Sequence, residues 1–247
     1  MEKRFFIDKN NLTNDDLILT DDEHLHLSKV LRLKVGDEVE CFYDNGPILK
    51  CEILNITKQF SSLKVREEVE CNSNPKLEIT VFQGLPKLDK LELITQKLTE
   101  LGITKIIPFS SSFCIAKENL NKIDRLKKII VSACKQCGRT KLTQVENPIK
   151  FKQMIDCLKS FDVVIFANET EKNVPLKEVF KKHCESGKPL TNGACIVGSE
   201  GGFSKEEIET LCQQENVYSV SLGSRILRAE TASIVLGGLI AYELGEI

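Results

Sequence analysis

The spacing of apolar residues changes character near residue 75. Before it, the runs Phe5-Phe6-Ile7 and Leu17-Ile18-Leu19 and the alternating stretches over 49–56 and 62–69 have the two-residue period of half-buried strands. Thr20-Asp21-Asp22-Glu23 has capping-box spacing and predicts a short helix over 21–31. Gly36-Asp37 turns the chain into a strand over 38–43, and Asp44-Asn45-Gly46 is a strong hairpin signal. Strands joined by tight turns around one small helix predict a compact β-barrel-like domain. The polar run Cys71-Asn72-Ser73-Asn74-Pro75 breaks both periodicities and reads as a linker, so the expected domains are 1–70 and 77–247.

After the linker, strands alternate with helices. Strands are expected over 77–82, 103–109, 161–166, 194–197 and 217–222. Helices are expected over 87–101, 119–137, 151–158, 176–183, 205–214 and 230–244. The first of these helices carries Leu91, Ile94, Leu98 and Leu101 at three- and four-residue spacing and ends at Gly102. Such alternation predicts an α/β domain built on a mostly parallel sheet, with its ligand crevice beyond the carboxyl ends of the strands. Two segments fall there. Gly198-Ser199-Glu200-Gly201-Gly202 follows a strand and leads into Ser204-Lys205-Glu206-Glu207, another capping-box spacing. Leu222-Gly223-Ser224-Arg225-Ile226-Leu227-Arg228-Ala229-Glu230-Thr231 places two arginines and a glutamate at the start of an otherwise apolar helix. Three glycines in five residues exceed what a plain strand-to-helix turn needs, and glycine lets backbone N–H groups approach a ligand closely. The second segment also admits two plainer readings: a favourable acidic residue in a first helical turn, or a structural arginine–carboxylate pair. Neither accounts for both arginines. The adjacent Gly237 and Gly238 in the last helix imply that another backbone packs very close there.

Composition narrows the partners. The 247 residues carry a net charge of −2, so RNA or DNA would have to meet local basic clusters such as Lys29, Arg32 and Lys34, or Lys122, Arg125, Lys127 and Lys128, or Lys135, Arg139 and Lys141. No long uncharged apolar run or signal-peptide core is present, which leaves a cytoplasmic protein with no membrane association as the expectation. The ten cysteines lie mostly in apolar segments, and Cys134-Lys135-Gln136-Cys137 has no second pair, so helical packing is expected of it and no metal. His24 and His26, two apart on a helix, face different ways and are assigned no role. Rossmann and Walker patterns are absent, as is G-x-S-x-G.

Taken together, the two glycine segments, with Arg4-Phe5-Phe6-Ile7, His26-Leu27-Ser28-Lys29-Val30-Leu31-Arg32, Gly36-Asp37, Gln96-Lys97-Leu98-Thr99-Glu100-Leu101-Gly102 and Cys134-Lys135-Gln136-Cys137-Gly138-Arg139, resemble the bacterial 16S ribosomal RNA (uracil-N3) methyltransferase family of the SPOUT superfamily. The resemblance spans almost the whole chain. Ser199 and Ser224 stand where that family usually has proline, and Ala229 where threonine is common. The resemblance implies an α/β fold: a C-terminal parallel-sheet domain with a deep trefoil knot, preceded by a small PUA-like RNA-binding β-barrel domain. It also implies S-adenosylmethionine as methyl donor, S-adenosylhomocysteine as product, a homodimer, and 16S rRNA or the small ribosomal subunit as partner. The last helix would be the segment tucked through the knot and packed near the second subunit. Residues implied at the cofactor are Val197, Gly198, Glu200, Gly201, Gly202, Leu222, Gly223, Ile226, Leu227 and Thr231, with Ala167, Asn168 and Glu169 as a third loop. Arg4, Lys29, Arg32 and Arg139 are the implied RNA contacts. For catalysis Arg228 is expected to face the acceptor base, with Arg225 second, and Glu230 either to orient an arginine or to accept a proton. Two other readings stay open: a ribose 2′-O RNA methyltransferase of the same superfamily, and a non-catalytic RNA-binding protein.

Overall fold

In a computed structural model, which describes residues 3–13, 15–87, 89–115, 121–171, 174–185 and 190–247, the N-terminal strands form a mixed six-stranded half-barrel. They are β1 (Arg4–Phe6), β2 (Leu12–Thr13), β3 (Asp16–Leu19), β4 (Glu38–Phe42), β5 (Ile48–Ile56) and β6 (Ser61–Val69), in the order β1-β4-β5-β6-β3-β2. Only the β1–β4 pairing is parallel. Alternation does the sorting: Leu49, Cys51 and Ile53 of β5 point inward to meet Phe5, Leu17, Leu19 and Leu63. Two register shifts between β5 and β6 provide the bend a curved sheet requires.

The turn between β4 and β5 differs from the expected pattern in its cause. Asn45 takes the positive φ of 56°. Gly46 does not, but a Cβ there would stand 2.3 Å from the Tyr43 ring, so its smallness is what the turn uses. The expected helix over 21–31 divides into α1 (Asp21–Leu25) and a π-helical turn over His26–Val30. The capping box at Thr20 does not form, because Glu23 is taken by the Lys135 ammonium. Buried His24 bonds through Nδ1 to Ser61 Oγ at 2.8 Å, a structural role.

The compact unit that holds this half-barrel comprises Met1–Asn74 and Val131–Leu142; Pro75–Ile130 and Thr143–Ile247 form the other. The second unit is a parallel sheet. Its strands are β7 (Glu78–Gly84), β8 (Lys105–Ser110), β9 (Gln144–Val145), β10 (Ile149–Lys150), β11 (Val163–Ala167), β12 (Asn192–Val197) and β13 (Val217–Val220). The order is β10-β8-β7-β12-β11-β13, with β9 also on the edge of β8. Its helices are α2 (Lys90–Glu100), α3 (Asn121–Cys137), α4 (Phe151–Leu158), α5 (Leu176–Glu185), α6 (Lys205–Cys212) and α7 (Ala229–Glu243), the last turns of α3 falling in the first unit. The expected start of α3 at Asn119 lies outside the described residues, as do the side chains of Lys122 and His183.

Central strands are apolar on both faces because both faces are covered. Val163 and Ile165 of β11, with Cys195 and Val197 of β12, pack on α2 and α7 through Leu98, Leu236 and Ile240. Val164 and Phe166, with Ala194 and Ile196, pack on α4 and α6 through Met154, Leu158 and Leu211. The glycine pair of α7 meets α2: a Cβ on Gly237 would lie 2.7 Å from Leu98 Cδ2, and one on Gly238 lies 3.7 Å from Leu101. No described helix is long and apolar enough to cross a membrane, and no described group of His, Cys, Asp or Glu could hold a metal ion.

Burial also orders the thiols. Burial pushes the Cys195 thiol up to about 12. Exposed Cys212 is held above its ordinary value by partial burial and then by Glu171. Because the thiolate is the reactive form, native-state iodoacetamide labelling followed by peptide mass spectrometry should modify exposed Cys157 first and Cys212 more slowly, and leave Cys195 unmodified until the protein unfolds.

Candidate active site

Three neighbouring strands deliver their carboxyl ends to one place. Ala167 of β11 pairs with Val220 of β13, and Phe166 pairs with Ile196 of β12. The loops that follow surround a cavity of about 440 Å³. Of the residues expected at a cofactor, Ala167, Asn168, Glu169, Val197, Gly198, Glu200, Gly202, Leu222, Gly223, Ile226 and Leu227 line it, and so do Arg225 and Arg228. Gly201, Thr231 and Glu230 are not among the lining residues. Thr231 is exposed on α7, and Gly201 lies against Phe113, whose carbonyl oxygen would be 2.7 Å from a Cβ at that position.

Each loop is fixed by identifiable contacts. In the first, the Gly202 amide donates to Ser199 O at 3.0 Å and Gly202 takes φ +67°. Ser204 then caps α6 in the expected reciprocal box: Glu207 N donates to Ser204 Oγ and Ser204 N to Glu207 Oε2. Buried Glu207 also accepts from the Ser112 backbone N–H and hydroxyl through Oε1, tying in the segment after β8. Phe203 drops into the core against Phe109, Phe151 and Phe166. In the loop after β11, Asn168 Oδ1 accepts from the Thr170 amide and hydroxyl, while its Nδ2 donates to Ser219 Oγ. In the loop after β13, Gly223 takes φ +103° and its amide donates to Ser221 Oγ.

Beneath the first loop lies a device that no local pattern in the chain announces. Gln83, fully buried at the end of β7, donates from Nε2 to the carbonyls of Gly84 and Gly198. Its Oε1 accepts from the Ser233 hydroxyl of α7. Gly84 lets the first loop lie directly on β7: a Cβ there would stand 2.4 Å from Ser199 N and 2.7 Å from Gly198 C.

The charges arrange themselves unexpectedly. Glu230 makes no arginine pair with Arg225 or Arg228. Instead Lys90, from the first turn of α2, places its Nζ 2.9 Å from Glu200 Oε1 and 3.2 Å from Glu230 Oε2. The contact to Glu230 is an ion pair without hydrogen-bond alignment, since that buried oxygen has no hydrogen-bond partner. Glu200 also accepts from the Lys87 amide. Arg225 and Arg228 are exposed, and neither is ion-paired with a described residue. Burial pushes the Glu200 carboxyl up, but the Lys90 ammonium and the backbone amides of Glu200 and Lys87 outweigh it and hold the group below its usual range. Glu200, and then Glu230, hold Lys90 above its own ordinary value. The depressed Glu200 stabilises the folded site above its ordinary carboxylate pKa, and that contribution is lost as pH falls through the folded value. The raised Lys90 contributes fully below the ordinary lysine value and loses its contribution as pH rises through the folded one. The ion pair therefore persists through the whole range between the ordinary carboxylate and lysine values and somewhat beyond it at each end.

The four side chains expected to meet RNA divide in two. Lys29 and Arg32 are exposed. Arg4 and Arg139 are only 4% and 1% exposed. Arg4 stacks over the Phe42 ring at 4.8 Å and lies 3.7 Å from Glu40, so it stabilises the half-barrel, and burial lowers the Arg139 pKa. Lys90, Gln83, Gly84 and Phe203 were not anticipated at the site.

Comparison with known proteins fits this geometry. Residues 72–241 match the RNA methyltransferase domain family and residues 19–66 the RNA methyltransferase PUA domain family. The ribosomal RNA small subunit methyltransferase E of Rickettsia conorii is 34% identical over 232 residues, 94% of this chain and 91% of the relative. That of Bacillus subtilis is 31% identical over 91% of this chain and 89% of the relative. A crystal structure of the enzyme of that name from Neisseria gonorrhoeae, bound to S-adenosyl methionine, superposes with a TM-score of 0.87 at 25% identity and covers 98% of both chains. A parallel-sheet domain with glycine-lined loops at its strand ends, following a PUA-like half-barrel, thus has its place among known proteins: this chain belongs to the RNA methyltransferase family of the ribosomal RNA small subunit methyltransferase E type.

Proposed function

We propose that the chain transfers the methyl group of S-adenosylmethionine to N3 of a uridine in 16S rRNA, releasing S-adenosylhomocysteine, as a cytoplasmic homodimer. The observation that carries this reading is a glycine-lined cavity at three strand ends with two unpaired arginines at its wall. The residues present suit the cofactor. Gly198, Gly202 and Gly223 keep side chains out of the cavity wall, and the Glu169 and Glu200 carboxylates offer acceptors for hydroxyl or amino groups. Bound there, the cofactor supplies an activated methyl on a sulfonium.

The protein's own tasks are then positioning and charge. Uracil N3 is a poor nucleophile until its proton leaves to solvent water, and the resulting negative charge spreads onto the two carbonyl oxygens. Arg228, at the N-cap of α7, is assigned to face that charge, with Arg225 beside it. Exposed Lys29 and Arg32 are assigned to RNA phosphates. Replacing both by alanine should lower the slope of log affinity against log salt by about 2, roughly one per lost phosphate contact; an unchanged slope in a filter-binding titration would remove them from the interface. The homodimer reading is supported by the exposed apolar stripe Val235, Leu239 and Tyr242 on α7, and light scattering tests it.

The deciding experiment is methyl transfer from labelled S-adenosylmethionine to methyl-deficient small subunits and to naked 16S rRNA, followed by nucleoside analysis. N3-methyluridine is the expected product. A 2′-O-methyl nucleoside would replace the acceptor with ribose. RNA binding without cofactor binding by calorimetry would leave a non-catalytic RNA-binding protein.

A further inference from the structure

We propose that Lys90 is a positioning residue of this site: by holding the carboxylates of Glu200 and Glu230, it keeps them from capturing Arg225 and Arg228, which stay free for the acceptor base. The idea rests on the function proposed above. Its observations are geometric. One ammonium lies within 3.2 Å of two carboxylates that come from different loops. Glu230 is the second residue of α7, and Arg228 is the N-cap of the same helix. Glu230 Oε2 is buried and lacks a hydrogen-bond donor, while Arg225 and Arg228, five and two residues before it in the chain, are exposed and have no described ion-pair partner. An arginine–carboxylate pair can be bidentate and stronger than a lysine pair. Arg225, Arg228 and Glu230 lie within one short segment, yet no such pair forms among them.

Lys90 changes that outcome by position. It projects from the first turn of α2, outside both loops, and neutralises their carboxylates from that side. With Lys90 removed, Glu200 and Glu230 would compete for the two arginines, and the charge meant for the substrate oxygens would be spent within the protein.

The test compares Lys90→Met, Lys90→Arg, Glu230→Gln and the double variant Lys90→Met/Glu230→Gln. For Lys90→Met the expected result is a fall in kcat of between about 2- and 150-fold, the span of coupling seen for residues in contact. S-adenosylmethionine affinity by calorimetry should stay within about threefold, which also shows that the variant is folded. Lys90→Arg should keep most activity, and the double variant should be as active as Glu230→Gln and faster than Lys90→Met alone. A second readout does not depend on catalysis: phenylglyoxal should modify Arg225 and Arg228 readily in the native protein, slowly in Lys90→Met, and readily again in the double variant. Unchanged arginine reactivity in Lys90→Met would overturn the proposal, as would a double variant no better than the single one, or a collapse of cofactor binding in Lys90→Met. Should the native protein transfer no methyl group to RNA, the function proposed above fails, and arginine labelling still decides the role of Lys90.

Discussion

Arg228→Ala should lower kcat by about 10²–10³-fold, the loss typical of one donor to a developing oxyanion, while S-adenosylmethionine binds nearly as before. The reason for the split is position. Arg228 stands at the N-cap of α7, exposed, at the wall of the cavity and without an ion-pair partner among the described residues. Its side chain makes no cap hydrogen bond, so alanine removes little from the helix itself. What is lost is a charge aimed at the acceptor, which matters most when the uracil has given up its proton. Single-turnover methylation of 16S rRNA checks the rate, and calorimetry checks the cofactor. Arg225→Ala should follow the same pattern with a smaller loss. If Arg228→Ala keeps the native kcat, the assignment is wrong.

The largest effect on cofactor binding is expected from Gly84→Ala. The added methyl would meet backbone, at 2.4 Å from Ser199 N and 2.7 Å from Gly198 C, and backbone cannot swing aside as a side-chain tip can. The first loop would have to lift by about 1 Å, a displacement that can cost on the order of 100-fold in a positioned reaction. Overpacking of this kind also destabilises by about 1–3 kcal/mol, equivalent to a Tm lowered by roughly 2–12 °C in a chain of this size. Gly193→Ala is the matching control. It sits in β12 with its nearest neighbours at 3.9 Å and 4.0 Å, ordinary contact distances, and should leave affinity and Tm almost unchanged. Thermal melts and calorimetry on both variants separate a local clash from a general intolerance of larger residues.

What could be read in the chain beforehand follows the range of the interactions concerned. The parallel sheet, its helices and the two glycine loops depend on periodicity and turn chemistry within a few residues, and they stand where the pattern placed them. The box at Ser204 formed because Glu207 is three residues away and has room to serve Ser112 as well. The one at Thr20 failed because Lys135, 112 residues further on, takes Glu23. Gln83 meets Gly198 and Ser233 at separations of 115 and 150 residues, so no window of sequence contains the device. Strands β9 and β10, two residues each, are too short to show a period. That Arg4 and Arg139 are buried could not be read from the chain, because residue type alone says nothing of burial. Lys90 was passed over because a lysine at the start of an amphipathic helix is unremarkable until the two carboxylates it meets are known.

The buried amide of Gln83 has a bearing on how this protein can change over generations. It satisfies a carbonyl of the first loop, a carbonyl of its own strand and a hydroxyl of the last helix at once. Loss of either Gln83 or Ser233 would strand a polar group in the interior, at about 1–3 kcal/mol. Ser233 therefore cannot become apolar without cost while Gln83 is kept, and loss of the glutamine strands the Gly84 and Gly198 carbonyls whether or not the serine remains. Beneath the first loop, a change at Gln83 has to bring with it a new donor for two carbonyls that lie 114 residues apart in the chain.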